Sequence, residues 1–383
     1  GCEGGGEAAA APALWHRCAD ALLACVCPGL LATHPYARWR GDPEGLEREL
    51  APSGEAEHIR AQASYVGVVC GCVKKCVSDG LLCPGFDEDL FFQAWLCMLT
   101  RKFSSPKGSA FVPGVDFFNH TGSPGAEGDW DEGRDAVVVR ATRAHAAGEE
   151  VCICYGELSN PLLLRTYGFT VPPAEEPVWS CTFEEKDLVG LCYEGGPAGP
   201  ELAEDFAALP NLHLDSGMVS QTLAAALEVC AAGGGAPGRL LRELCQRRRD
   251  LLEGDSRLAP AVSALRVARI ADADAGARGD GAEGTWWKHS TGSGRAAGPG
   301  SGLLAIVEDS DRVKMSEYLC LVAHIEALDE PASHESAKEE AAAPPRRPSA
   351  PLFARSAGLA QDLAALRAAG LLGEGPVAGT PAR

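Results

Sequence analysis

No stretch of this chain is apolar for long enough to cross a bilayer. The longest near the start, Ala19 to Ala32, carries Asp20 and Pro28 and falls short of the about 20 residues that a spanning helix needs. It also lacks the layout of an export signal. Positive charge is scarce: 34 Lys and Arg stand against 53 Asp and Glu, for a net charge of −19. That balance argues against nucleic acid or an anionic membrane as the main partner and suits a basic protein segment. There is no internal repeat, and no phosphate loop: Gly4 to Gly6 run into "EAAAA" with no strand before them and no Lys-Ser/Thr after. No metal set is complete either. Cys70 to Cys83 ("CGCVKKCVSDGLLC") has no His to finish a zinc tetrad. In "DWDEGRD" (Asp129 to Asp135) the Gly stands one position early for a calcium loop and no Glu follows at the required distance, so a solvated hairpin is expected.

Cysteine, by contrast, is plentiful. The 16 residues lie mostly in apolar or alternating runs and not at the spacings of a secreted disulfide framework. Reduced thiols in an intracellular compartment are expected, the cytoplasm first, with nucleus and plastid open. The hydrophobic share of 46% over 383 residues supports two packed units with tails. Residues 1–13 open without a Met and are rich in Gly and Ala, which reads as a disordered end of a fragment or processed product.

Helical spacing dominates 14–105. In its last helix Asp87 is the expected cap, and Leu90, Ala94 and Met98 form the expected inward face, which three residues later reaches Arg101. Over 106–185 the period turns to short strands, with "AVVVRA" (Ala136 to Ala141) and "VCICY" (Val151 to Tyr155) expected to form a hairpin across "HAAGEE". Next comes "LSNPLLLRTYGF", a helix with Ser159 or Asn160 as cap, Pro161 in its first turn and Gly168 as its stop. Residues 186–334 read as helical, with two helices broken at "AAGGGAPG", a Gly/Ala/Ser-rich linker over 271–302 and a helix from Met315 to Leu328. Residues 335–383 form a tail with one helix, Leu359 to Leu372.

Four segments in fixed order carry a resemblance: "TRKF" (Thr100 to Phe103), "FVPGVDFFNH" (Phe111 to His120), "AAGEEVCICYGELSN" (Ala146 to Asn160) and "YGF" (Tyr167 to Phe169). The chain resembles the SET-domain protein methyltransferases, in the branch similar to Rubisco large-subunit lysine methyltransferase and actin-histidine methyltransferase. The resemblance implies an α+β fold: a core of short strands whose Asn-His and Tyr segments thread past each other as a pseudoknot, an insert-like helical region before it, and a helical substrate-binding region after it. It implies S-adenosylmethionine as cofactor and, as reaction, methylation of a protein side chain by a monomer.

By that resemblance Arg101, Asp116, Asn119, the backbone at His120 and Tyr155 contact the cofactor, with Asp116 a partner for Arg101 and the His120 ring structural. Tyr155 is the catalytic residue, its hydroxyl orienting methyl and target nitrogen. Phe103 and Tyr167 wall the substrate pocket, and no metal takes part. A Phe at position 103, where the histidine-methylating branch has Asn, points to lysine: a benzene ring attracts an ammonium through its face but offers imidazole no directional partner. One family segment, the N-terminal strand with Gly-x-Gly, has no counterpart in this sequence. A catalytically inactive SET-like protein-binding module is therefore the alternative reading.

Overall fold

The computed structural model describes residues 27–81, 85–105, 108–173, 175–195, 212–215, 218–231, 236–266 and 308–329. The expected N-terminal end, the 271–302 linker and the Leu359 to Leu372 helix lie outside the described residues. The fold is α+β: most of the described residues lie in helices, with three small antiparallel sheets between them. No helix among the described residues is long and apolar enough to cross a membrane.

Four helices open the structure: Cys27–Thr33, Pro35–Gly41, Pro43–Leu50 and Glu55–Ser78. Their starts follow from local chemistry. The side chains of His34 and Asp42 accept from backbone N–H groups of the next turn, and Pro35 and Pro43 occupy first-turn positions where no N–H is needed. With Glu88–Arg101, they close a core of Tyr36, Leu46, Leu50, Ile59, Phe92 and Leu96. Asp87 caps Glu88–Arg101 as expected, accepting from Asp89 and Leu90 N–H. Its buried face differs from the expected one. Leu90 and Met98 are exposed, while Phe92, Leu96 and Cys97 point inward. This helix is apolar nearly all round, and packing against Tyr36 and Ile59, not spacing, chooses the stripe.

The strands also pair differently from expectation. Ala136–Ala141 (β4) pairs with Ala126–Asp131 (β3), Trp130 opposite Val137. Val151 to Tyr155 joins no sheet, and Ile153 alone bridges His120 in parallel. The tip of the β3–β4 hairpin is "EGRD", with Asp135 in the left-handed region at φ 50°. Lys102–Ser105 (β1) and Gly108–Phe111 (β2) form a second hairpin. A third sheet joins Ser180–Thr182 (β5), His213–Asp215 (β6) and Met218–Val219 (β7). Cys70, Cys72 and Cys76 lie along the helix Glu55–Ser78, where Cys70 and Cys72, two positions apart, point to different sides. Among the described residues nine cysteines are free thiols and Cys230 is disulfide-bonded, so the expected reduced state does not extend to it.

Helices Glu185–Gly195, Gln221–Ala231 and Pro237–Glu253 build the C-terminal core together with Asp309–Asp329, which begins six residues before the expected Met315. This last helix joins the two halves. Its Val313 belongs to the N-terminal core, whereas its Met315, Leu319 and Leu321 belong to the C-terminal one. Polar groups at the junction are buried with it. Glu55 is bonded to Arg165 and Thr182. Ser53 donates to Glu317, and Ser316 donates to Glu176. Arg248 bonds the Pro52 carbonyl and Asp187. Gly54 is required here, because a Cβ on it would lie 2.1 Å from the Thr182 carbonyl oxygen.

Two of these carboxyls are held protonated. Burial pushes Glu176 up to about 8 against hydrogen bonds from Asn160 and Ser316. Burial does the same to Glu317, up to about 8, against the pull of Arg248 and with the help of nearby Glu55. Burial also opposes the ionised form of Glu55, but Arg165, His58 and Thr182 outweigh it and hold that carboxyl below its usual range. A carboxyl raised on folding keeps its proton where the unfolded chain has lost it. Its stabilising share is whole below the ordinary carboxylate range and drains away up to about pH 8. Glu317→Gln should therefore flatten the pH dependence of unfolding. The stability difference between parent and variant should shift by about 1.4 kcal/mol per pH unit across that window, with the parent losing ground as pH rises. A difference that stays constant from pH 5 to 8 in denaturant titrations would contradict a buried neutral Glu317.

Candidate active site

The helix Glu88–Arg101 delivers Arg101 to the turn Val115–Phe117. The Asp116 carbonyl accepts from the Arg101 guanidinium, and the almost fully buried Asp116 carboxylate lies 3.9 Å from it. That carboxylate also accepts from the Gly114 N–H at 2.9 Å. Phe117, 56% exposed, lies against the guanidinium at 5.5 Å. One donor is left over: Arg101 Nε is buried without a partner among the described residues. An unsatisfied buried N–H costs about 1–3 kcal/mol, so this position fits a ligand that brings an acceptor.

Four residues on, the chain meets the Tyr155 segment. Ile153 N–H donates to the Asn119 carbonyl at 3.0 Å, and Thr121 N–H donates to the Ile153 carbonyl at 3.1 Å. Tyr155 N–H donates to His120 Nδ1 at 3.1 Å. An accepting Nδ1 carries no proton, so the ring proton sits on Nε2. Burial lowers the His120 pKa, which keeps this neutral form. The Tyr155 hydroxyl donates to the Phe118 carbonyl at 2.7 Å. Burial, partly offset by Arg101, raises the Tyr155 pKa, so the hydroxyl stays protonated while its oxygen remains an acceptor.

A cluster of rings backs this seam. His120 packs on Tyr155 at 5.2 Å and on Phe169 at 5.9 Å, and Tyr155 packs on Tyr167 at 4.8 Å. Tyr167 ends the helix Asn160–Tyr167, which Ser159 starts with Pro161 in its first turn. Gly168 stops it in the left-handed region at φ 81°, where a Cβ would come within 3.0 Å of the His34 ring. Asn160, the other expected cap, instead bonds both Val171 backbone groups and Glu176, folding the chain back so that Phe169 meets Tyr155.

Of the residues expected from the sequence, Arg101 and Asp116 pair, and His120, Tyr155 and Tyr167 share the ring cluster. Asn119 contributes its backbone to the seam, while its exposed side chain donates to Glu150 at 2.6 Å. Phe103 faces Ala110 on the β1–β2 hairpin, outside the ring cluster. Phe169 and Glu150 belong to the arrangement without having been foreseen. Phe169 stood in the quoted "YGF", but nothing in the sequence marks Glu150 off from its neighbour Glu149.

Residues 26–156 match the family model of the SET domain. The ribosomal lysine N-methyltransferase set11 of Schizosaccharomyces pombe is 33% identical over 90 residues, which is 22% of this chain and 23% of that relative's length. The structure of Rubisco LSMT bound to AdoMet aligns at 18% identity with TM-score 0.40, over 73% of this chain and 64% of that one. The SET domain of LSMT bound to lysine and AdoHcy aligns at 17% identity with TM-score 0.41, over 84% of this chain and 74% of that one.

The seam separates its two neighbours by role. His120→Ala removes a ring from the cluster and strands the Tyr155 N–H, so it should cost about 2–4 kcal/mol of stability. Asn119→Ala keeps the backbone carbonyl and loses one exposed contact, so it should cost less than about 0.5 kcal/mol. Equal losses in chemical denaturation would show that the seam does not depend on the His120 ring.

Proposed function

We propose that this chain, which carries a SET domain over residues 26–156, transfers a methyl group from S-adenosylmethionine to a protein side chain, the lysine ε-amine. The observation that carries the reading is the Tyr155 hydroxyl, tied to the Phe118 carbonyl inside the seam and acted on electrostatically by Arg101, whose guanidinium bonds Asp116 while its Nε keeps no partner among the described residues. Bound S-adenosylmethionine supplies a methyl on a positively charged sulfur. Arg101 Nε would donate to its carboxylate and Asn119 with the backbone at His120 would hold the rest of its amino-acid portion, while Asp116 keeps the Arg101 guanidinium in place.

Methyl transfer to an amine needs alignment and exclusion of water more than acid–base chemistry. Tyr155 suits that demand. With its O–H held in a hydrogen bond to the Phe118 carbonyl, its oxygen is left to accept from the target nitrogen and to make weak contacts to polarised C–H groups. Its raised pKa rules it out as a base near neutrality, so the lysine must arrive without its extra proton. Tyr167, its hydroxyl pKa also raised by burial, lines the path of the alkyl chain. Lysine is further supported by the name of the 33% identical relative, a lysine N-methyltransferase. The acidic balance of the chain favours a basic substrate segment.

Tyr155→Phe keeps the ring and deletes the hydroxyl. S-Adenosylmethionine binding should persist in calorimetry, while turnover falls by about a hundredfold or more. Unchanged turnover would remove Tyr155 from the mechanism, and a parent that binds no cofactor would favour a protein-binding module instead. Peptides with a single Lys or a single His, assayed by labelled methyl incorporation, test the target atom. Incorporation into His alone would overturn the choice of lysine.

A further inference from the structure

Glu150 has a role of its own at the cofactor end of the site. Its carboxylate accepts from Asn119 Nδ2 at 2.6 Å across 31 residues of chain, while the Asn119 backbone is pinned by the bond from Ile153 N–H. An amide has a donor end and an acceptor end, and a carboxylate can bind only the donor end. Glu150 therefore selects one of the two flip states of the Asn119 amide, the one that turns Oδ1 away from Glu150. The same carboxylate acts electrostatically on Cys152, at the edge of the seam. The Arg101–Asp116 pair also acts on Tyr155, and Arg101 Nε keeps a buried N–H without a partner among the described residues. The site thus holds an open donor at Arg101 and, on Asn119, an amide oxygen that Glu150 leaves unused.

We propose that Glu150 is a positioning residue: it locks the Asn119 amide with its oxygen presented to the ligand, so that this end of the site takes the α-ammonium of an amino-acid zwitterion whose carboxylate goes to Arg101. The inference rests on the cofactor reading above and adds to it the residue that sets the Asn119 amide. Glu150 itself touches no ligand. Its neighbour Glu149 is committed elsewhere, to Arg143 at 2.5 Å and to the Ala146 N–H at 2.8 Å, and cannot take over the lock.

Calorimetric titration of S-adenosylhomocysteine and of 5′-methylthioadenosine, which lacks the amino-acid portion, into the full chain and into Glu150→Gln and Glu150→Ala tests this. Glutamine can offer Asn119 either a donor or an acceptor and carries no charge. Both variants should lose about tenfold in affinity for S-adenosylhomocysteine, the scale of one hydrogen bond to a charged group, and none for methylthioadenosine. Tighter binding of S-adenosylhomocysteine by Glu150→Ala would overturn the proposal by making Glu150 a competitor for Asn119. Equal losses for both ligands would reduce Glu150 to a general support of the fold. A parent chain that binds neither ligand would defeat the cofactor reading itself, and this inference with it.

Discussion

Everything near the site depends on two extended segments, separated by some thirty residues, lying side by side at His120 and Ile153. The contact is small, two backbone bonds, one from backbone to ring and one from the Tyr155 hydroxyl to the Phe118 carbonyl, yet it closes a long loop, and ordering that loop costs entropy before any contact rewards it. The intervening chain shares that cost. The β3–β4 hairpin shortens the loop, Thr142 N–H donates to the Gly125 carbonyl at its base, and the Arg143–Glu149 pair tightens the return. What the seam provides is direction. Tyr155 stays outside any sheet, so its backbone and its hydroxyl are both free to bond the neighbouring segment, at His120 and Phe118.

The second constraint reaches the site from the far end of the chain. The helix Asp309–Asp329 packs against Asn160–Tyr167, the helix that holds Tyr167 against Tyr155, and its Asp309 accepts from Thr170 just beyond Phe169. Glu176, bonded to Ser316 on that helix, also fixes Asn160. A buried polar network of this kind is costly if half satisfied and directional if complete. Here it links the wall of the ring cluster to the C-terminal core through specific donors and acceptors. The C-terminal helices and the Tyr167 side of the site are therefore one mechanical unit.

Much of this was legible where local chemistry decides structure. Asp87 caps one helix, Ser159 stands at the start of another with its hydroxyl turned to Ser180, Gly168 stops that helix, and the order Arg, Asn-His, Tyr, Tyr-Gly-Phe carried the resemblance. The misreadings fall where long-range packing decides. The hairpin expected at "DWDEGRD" forms, but its second strand β4 pairs with Ala126–Asp131 and not with "VCICY", which looks like a strand and is taken by the seam. The three-residue strands β5 and β6 are too short to show a period. The burial of Phe92 in place of Leu90 is set by neighbours across the core. Glu150 had no signal at all, since an exposed glutamate after a glycine turn is ordinary and its partner is 31 residues away.

Amide hydrogen exchange on the ligand-free chain tests the seam most directly. The donors of Thr121, Ile153 and Tyr155 serve one structure, so they should be protected together and open in a single cooperative event at a common free energy. Fast, independent exchange at any of the three, with the helix Glu88–Arg101 still protected, would contradict the claim that this contact organises the site.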